Sequence, residues 1–369
     1  VTEANVEAMT RLVLVCAFAI GVAFGALAQR VRFCTMGAIA DLAITGDSTR
    51  LQMWVMAACT AVVGFNAMVW LGWVQAADSI YAGPRVLWLS AITGGLMFGV
   101  GMVLASGCTS KNLLRAGSGS LKAVVVLLVV ALAGFATLKG VAAVVRVSTV
   151  DAVAVTLNGG QDIPSVLGRL TTIKPGTLAG WFALATGIAT SIGVLIWRRW
   201  RDAELVCGGI GIGALVVLAW WVSGVLAHIA EHPTTLESVF LATNSHRMES
   251  LSYVSAVSFA MDYVLFFSDV SKTLTIGIVS AVGLVVGSGL HALWTHTFRW
   301  DGFAGVSDLR NHLLGGALMG VGGVTSLGCT VGQGLSGVST LSLGSFVAVL
   351  SMIVGAYATL KAQLRRSDV

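Results

Sequence analysis

Two cysteines stand where the chain repeats itself. Residues 94–109 read Gly-Gly-Leu-Met-Phe-Gly-Val-Gly-Met-Val-Leu-Ala-Ser-Gly-Cys-Thr, and residues 315–330 read Gly-Gly-Ala-Leu-Met-Gly-Val-Gly-Gly-Val-Thr-Ser-Leu-Gly-Cys-Thr; nine of sixteen positions agree, at an offset of 221. Each copy closes an apolar, glycine-rich run with Gly-Cys-Thr: Gly107-Cys108-Thr109 and Gly328-Cys329-Thr330. Polar residues follow, Ser110-Lys111-Asn112 in one copy and Val331-Gly332-Gln333-Gly334 in the other. A helix broken there leaves backbone N–H groups without helical partners, which membrane depth tolerates only where protein or a water-filled cavity receives them. Thr109 and Thr330 can cap a following half-helix, whose first amides favour an anion. No carboxylate lies within ten residues of either cysteine, whereas Lys111, Arg115 and Lys122 lie near the first. A cation path would carry Asp or Glu; an anion path needs donors and positive charge. The thiol adds a soft, polarisable group with a weak S–H donor, suited to sulfur more than to a hard oxyanion.

A single Gly-Cys-Thr would most simply be a packed cysteine, since buried Cys behaves as a small hydrophobe. Recurrence at the same point of a repeat, with a break after each, singles these two out. Cys16, Cys59 and Cys207 lack that context and read as packing residues; Cys34 is intermediate, following Arg32 in a basic stretch. The six cysteines show no C-x-x-C spacing, so neither a disulfide framework nor a metal site is expected. The histidines (228, 232, 246, 291, 296, 312) read as loop or interface residues. Asp41 and Asp308 read as helix caps or as partners of Arg32 and Arg299. No Walker A pattern is present, and no cofactor is expected.

The elements that hold these residues are apolar helices. Hydrophobic residues are 56% of the 369, charged ones 11%, and mean hydropathy is +0.88; a soluble domain would carry about 25% charged residues. Each crossing of a ~30 Å hydrocarbon core needs about 20 apolar residues. Runs of that kind occupy 11–28, 53–74, 86–106, 121–145, 178–197, 205–227, 251–267, 273–294 and 341–360, about nine in all. Segments 33–46 and 303–328 are short and glycine-broken. The fold class is therefore an all-α polytopic membrane protein, with about nine transmembrane helices plus short re-entrant or broken helices. The 45 glycines allow close backbone approach in such a bundle. Arg198, Arg199 and Arg201, and the tail Lys361, Arg365 and Arg366, are the basic clusters. Placing both in the cytoplasm puts loops 148–176 and 228–250, and the N-terminus, outside. Glu3 and Glu7 before the first run argue for an uncleaved first helix and against a signal peptide.

The repeat extends beyond the cysteines. Phe135-Ala-Thr-Leu-Lys139 pairs with Tyr357-Ala-Thr-Leu-Lys361; upstream, Arg32-Phe33-Cys34 with Asp41-Leu42 pairs with Arg299-Trp300-Asp301 with Asp308-Leu309 at an offset of 267. The change of offset assigns some 46 extra residues to the first copy, which run 53–74 and its loop account for. The chain then reads as one transport domain, 1–369, with repeat A at 11–147, central spans and loops at 148–270 and repeat B at 271–362. Charge topology sends 121–145 and its partner 341–360 in opposite directions, which favours inverted copies with a site near the midplane at their interface.

At Arg32-Phe33-Cys34-Thr35-Met36-Gly37-Ala38, Ser106-Gly107-Cys108-Thr109-Ser110-Lys111-Asn112 and Leu327-Gly328-Cys329-Thr330-Val331-Gly332-Gln333-Gly334 the chain resembles the YeeE/YedE family of sulfur-transport membrane proteins. The resemblance covers essentially the whole length. It implies uptake of thiosulfate across the bacterial inner membrane, through an hourglass path whose three family cysteines fall on Cys34, Cys108 and Cys329, by transient S–H···S contacts. It also implies a separate cytosolic sulfur carrier of the TusA/SirA type as partner, and selenium compounds as a substrate alternative. The expected substrate-binding set is Cys34, Cys108, Cys329, Gly107, Thr109, Lys111, Gly328 and Thr330, with no nucleic acid bound.

Two other readings compete. A membrane sulfurtransferase would form a cysteine persulfide and needs a reactive thiol beside a cation, for which Lys111 is the one nearby group. A soft-metal transporter would use Cys and Met, and is disfavoured by the scarcity of acidic and paired ligands.

Overall fold

The computed structural model describes residues 3–171, 173–196, 203–231, 237–269 and 271–367; Arg198, Arg199, Arg201 and His232 lie outside them. The described residues are predominantly helical: α1 (Glu3–Arg30), α2 (Thr35–Ile44), α3 (Thr49–Trp70), α4 (Trp88–Leu104), α5 (Thr109–Gly117), α6 (Leu121–Lys139), α7 (Val141–Ser148), α8 (Ile163–Leu170), α9 (Pro175–Ile196), α10 (Ala203–Trp221), α11 (Tyr253–Leu265), α12 (Ile276–Trp294), α13 (Val306–Thr325) and α14 (Leu343–Ser367). Among the described residues, seven stretches are long and apolar enough to cross a membrane: Asn5–Ile44, Thr49–Trp70, Trp88–Gly117, Leu121–Lys139, Ala203–Leu226, Ile276–Trp294 and Leu343–Arg365. The runs expected at 178–197 and 251–267 are helical too, as α9 and the shorter α11. The two ambiguous segments became α2 and α13. The protein is an all-α polytopic membrane protein.

Glycines set how the helices meet. A Cβ on Gly94 would lie 2.6 Å from the Gly322 carbonyl oxygen, and one on Gly101 2.7 Å from that of Gly315. As the number rises along α4 it falls along α13, so these two repeat copies cross antiparallel at backbone contact. The flanking pairs run the other way: Gly95 and Gly99 meet Ala348 and Met352 of α14, and Gly316 and Gly320 meet Val126 and Val130 of α6. Thus α14 lies parallel to α4, and α6 parallel to α13. Every one of these contacts has its counterpart, α4 and α13 matching at offset 221 and α6 and α14 at offset 222.

The upstream match at offset 267 fails this test. Gly21 and Gly25 press on Ser280 and Leu284, so α1 and α12 are parallel neighbours. Copies related by the operation that makes α4 and α13 antiparallel cannot run parallel. The same parallel packing joins α3 to α10, where Gly209 meets Met53 and Met56, and Gly213 meets Ala57 and Thr60. Meanwhile α1 crosses α10 antiparallel, Gly208 against Val31 and Gly211 against Leu27. The packing therefore matches α1 with α10 and α3 with α12. Short, glycine-poor motifs such as Arg-Phe-Cys carry too little sequence to have shown this.

One end of the bundle is laced by loops. Strand β1 (Arg85–Val86) pairs with β2 (Val155–Thr156), and β3 (His228–Ile229) with β4 (Val239–Phe240); Ser79 bridges Met248 and Asp162 bridges Ser342. At the opposite end Ser120 bridges Asp301 and Lys122 pairs with Asp308 at 3.0 Å.

Candidate functional site

Three helix breaks of one design meet in the bundle. Helices α1, α4 and α13 each close with a residue in the left-handed region: Arg32 (φ 53°), Ser106 (φ 55°) and Leu327 (φ 60°). The next N–H reaches back five residues: Phe33 to Ala28 (2.9 Å), Gly107 to Met102 (2.8 Å) and Gly328 to Gly323 (2.8 Å). This is the helix C-terminal closure that satisfies the last carbonyls. It turns the chain so that the following residue, a cysteine each time, opens the next segment. Expected caps Thr109 and Thr330 are displaced by this geometry. Cys34 and Cys108 are the N-caps of α2 and α5, and Thr109 is the first helical residue behind its cysteine.

At Cys34 and Cys329 sulfur takes the place that a Ser or Asp oxygen usually holds, whereas Cys108 makes no side-chain cap bond. Gly37 N–H donates to Cys34 Sγ at 3.3 Å. Cys329 Sγ receives Gly332 N–H at 3.4 Å and Tyr253 N–H at 3.5 Å. Cys108 Sγ stands 3.2 Å from Ser110 Oγ. Cys108 and Cys329 are buried and Cys34 half-buried, and none of the three is in a disulfide. Cys108 lies within electrostatic reach of both Cys34 and Cys329. The neighbouring pairs of this thiol row are thus Cys34–Cys108 and Cys108–Cys329.

The two ends of the row differ. Cys34 opens on a chamber of about 630 Å³ lined by Arg30, Arg32, Arg50, Lys111, Arg115 and His291. Of these cations Arg50 is paired, with Asp41 at 3.3 Å. Lys111 is within electrostatic reach of both Cys34 and Cys108. Beside the Cys329 break is a small cavity, about 20 Å³, whose lining mixes Tyr81, Arg85, Gln161, Ser326 and Gln333 with Leu87, Ala91 and Leu327. It belongs to the loop-laced end, since Tyr81 and Gln161 come from those loops.

Gly107 and Gly328 contribute by lacking a side chain. A Cβ on Gly107 would sit 3.1 Å from Lys111 Cγ, and one on Gly328 3.2 Å from Gln333 N. Thr109 and Thr330 are buried with hydroxyls that have no hydrogen-bond partner. Thr330 borders an apolar gap with Thr35, Trp54, Met102 and Met352. All eight expected residues therefore fall on the breaks or their immediate linings. Reading the sequence for thiols passed over Asn112 and Gln333, which occupy one repeat position. Asn112 Nδ2 donates to the carbonyls of Gly107 (2.9 Å) and Cys108 (3.1 Å), and Gln333 Nε2 donates to that of Ser326. Each amide ties the carbonyls that its break sets free; their shared offset was the available signal. Among the described residues no group of three or more His, Cys, Asp or Glu is placed to hold a metal ion.

Broken helices, repeated breaks and a polar row inside an apolar bundle define a membrane transport protein. The sulphur transport family model matches residues 30–358, and the chain belongs to that family. It is 25% identical over 360 residues to the thiosulfate transporter TsuA of Escherichia coli (strain K12), covering 91% of each chain. It is 27% identical over 353 residues to the thiosulfate transporter TsuA of Spirochaeta thermophila, covering 91% of this chain and 94% of the relative. A shorter likeness, 32% over 118 residues and 31% of this chain, is to the probable transporter YedE of Escherichia coli (strain K12).

Proposed function

We propose that this chain imports thiosulfate, or a closely related sulfur anion, along the row Cys329, Cys108, Cys34. The observation that carries the reading is the row itself: three thiols, each opening a segment after an identical helix closure, between a small cavity and a basic chamber. A dianion pays a large desolvation cost in hydrocarbon, several kcal/mol even after relaxation. Backbone amides and weak S–H donors offset part of that cost at the narrow middle, and the cations of the chamber collect the ion beyond it. Transient contacts of this kind need no covalent bond. The two TsuA relatives, matched over nearly their full lengths, support thiosulfate as the substrate.

Charge supports that direction. Arg30, Arg32, Arg50, Lys111 and Arg115 gather at the end toward which α14 runs with Lys361 and Arg365. By the positive-inside rule that end faces the cytoplasm of a bacterial inner membrane, with the C-terminus inside and the N-terminus outside. The bundle is then two inverted copies, α1–α6 and α10–α14, whose interface holds the thiols near the midplane. A cytosolic carrier of the TusA/SirA type would take sulfur from the basic chamber.

Radiolabelled thiosulfate uptake into proteoliposomes tests this. Cys108→Ala and Cys329→Ala should each cut uptake to background, and unchanged uptake in both would sink the relay. Lys111 beside Cys34 and Cys108 favours a second reading, a persulfide-forming sulfurtransferase. In that case thiolate attack would transfer the terminal sulfur and release sulfite. Intact-mass measurement after thiosulfate exposure separates the two, since a relay leaves the protein mass unchanged.

A further inference from the structure

The wall around Cys329 carries a hydroxyl with nothing to receive its hydrogen. Tyr253 is 0% exposed and its Oη has no hydrogen-bond partner among the described residues, while Tyr81, 2% exposed, has the Ser252 hydroxyl beside its Oη. Both hydroxyls stand within electrostatic reach of Cys329. Gly332, whose N–H reaches Cys329 Sγ as that of Tyr253 does, places two hydroxyls: a Cβ there would lie 2.6 Å from Ser252 Oγ and 3.2 Å from Tyr81 Oη. Ser252 accepts from Ser255 Oγ at 3.3 Å, so its own proton is available to donate. The rings are held rigidly, Tyr253 against Phe24 (centroids 5.8 Å apart) and Tyr81 edge-on to Trp220 (6.2 Å). A carboxylate within electrostatic reach of Tyr81, Glu249, is engaged by the Ser245 N–H (3.0 Å) and hydroxyl.

Buried hydroxyls are normally satisfied, and the unpartnered Tyr253 Oη, with the Tyr81 and Ser252 hydroxyls also facing the Cys329 segment, calls for an acceptor. Among the described residues none supplies it. We infer that Tyr81, Tyr253 and Ser252 form an oxygen-recognising station beside Cys329. They hold the oxygen atoms of a sulfur oxyanion and leave its terminal sulfur to the thiol. This rests on the sulfur-anion reading above and adds to it an orientation and a selectivity. The packing gives the station its place: Ser252 opens α11 as Cys34 opens α2, and α11 leads into α12 as α2 leads into α3. Since α12 matches α3, Ser252 is the counterpart of Cys34. The thiol row thus ends outward in a hydroxyl.

The test is thiosulfate uptake by proteoliposomes bearing the intact protein, Tyr81→Phe, Tyr253→Phe or Ser252→Ala, with sulfite and sulfide as competitors. Each lost donor to an anion should raise KM about tenfold, leaving uptake at saturation and the melting temperature near the parent values. Competition by sulfite should weaken in step, while sulfide, which has no oxygens, competes as before. Parent-like KM in all three variants overturns the station and leaves the conduit standing. Absence of thiosulfate uptake by the parent protein overturns both. Should a Phe variant fail to fold, Ser252→Ala, which removes one small hydroxyl, decides by its KM alone.

Discussion

Asn112 and Gln333 sit at the same position of the two repeats, and each turns its amide back onto the helix break that precedes it. Asn112 holds the Gly107 and Cys108 carbonyls, Gln333 that of Ser326. Leaving buried carbonyls unpaired costs about 1–3 kcal/mol. Asn112→Ala and Gln333→Ala should each lower unfolding stability by about that much, read as a fall in melting temperature in detergent. They should also reduce thiosulfate uptake, because the cysteine cap moves with the carbonyls. A parent-like melting temperature for both would show that the amides are idle.

The crossing of α4 over α13 predicts intolerance to size. Gly94 and Gly322 face each other's carbonyl oxygens at 2.6 Å from a virtual Cβ, and the obstacle is backbone. Overpacking costs about 1–3 kcal/mol where neighbours can shift, and here they cannot shift freely. Gly94→Val and Gly322→Val should both yield aggregated material on size-exclusion chromatography. Gly46→Ala, where nothing lies within 4 Å but φ is +70°, should keep its elution position and lose only about 1 kcal/mol.

Thiol accessibility should follow the row. Cys34 opens on the basic chamber, while Cys108 and Cys329 are 1% and 0% exposed. A membrane-impermeant maleimide reaching the chamber should modify Cys34 in a variant whose Cys16, Cys59 and Cys207 are serine, and leave the other two largely unmodified. Thiosulfate should slow that modification. Equal labelling of all three positions would contradict the constriction.

Lys111 should act on affinity more than on integrity. Its stem covers Gly107 and its amine stands near Cys34 and Cys108. Lys111→Met keeps the stem and removes the charge. KM for thiosulfate should rise about tenfold or more, the scale of one charge-assisted contact, with unfolding behaviour little changed. A parent-like KM would remove Lys111 from the path.

The membrane class and the helix breaks at Cys108 and Cys329 were readable because each rests on many residues at once: long apolar runs and a sixteen-residue repeat. What failed was the upstream match at offset 267, built on a few residues around Cys34 and Asp301. Helix direction corrected it, and direction is a property of contacts such as Gly21 with Ser280 that no single stretch contains. The caps were misassigned for a related reason. A threonine after a cysteine looks like the better cap by oxygen chemistry, but the left-handed residue two positions earlier sets the phase, and it puts sulfur there. Tyr81 and Tyr253 were invisible because loop and helix bring them to Cys329 from 248 and 76 positions away in sequence.

The glycine crossing also limits how the molecule can work. Two backbones in contact at Gly94–Gly322 and again at Gly101–Gly315 are pinned at two points along one axis, and a shift of α4 along α13 at this crossing would drive backbone into backbone.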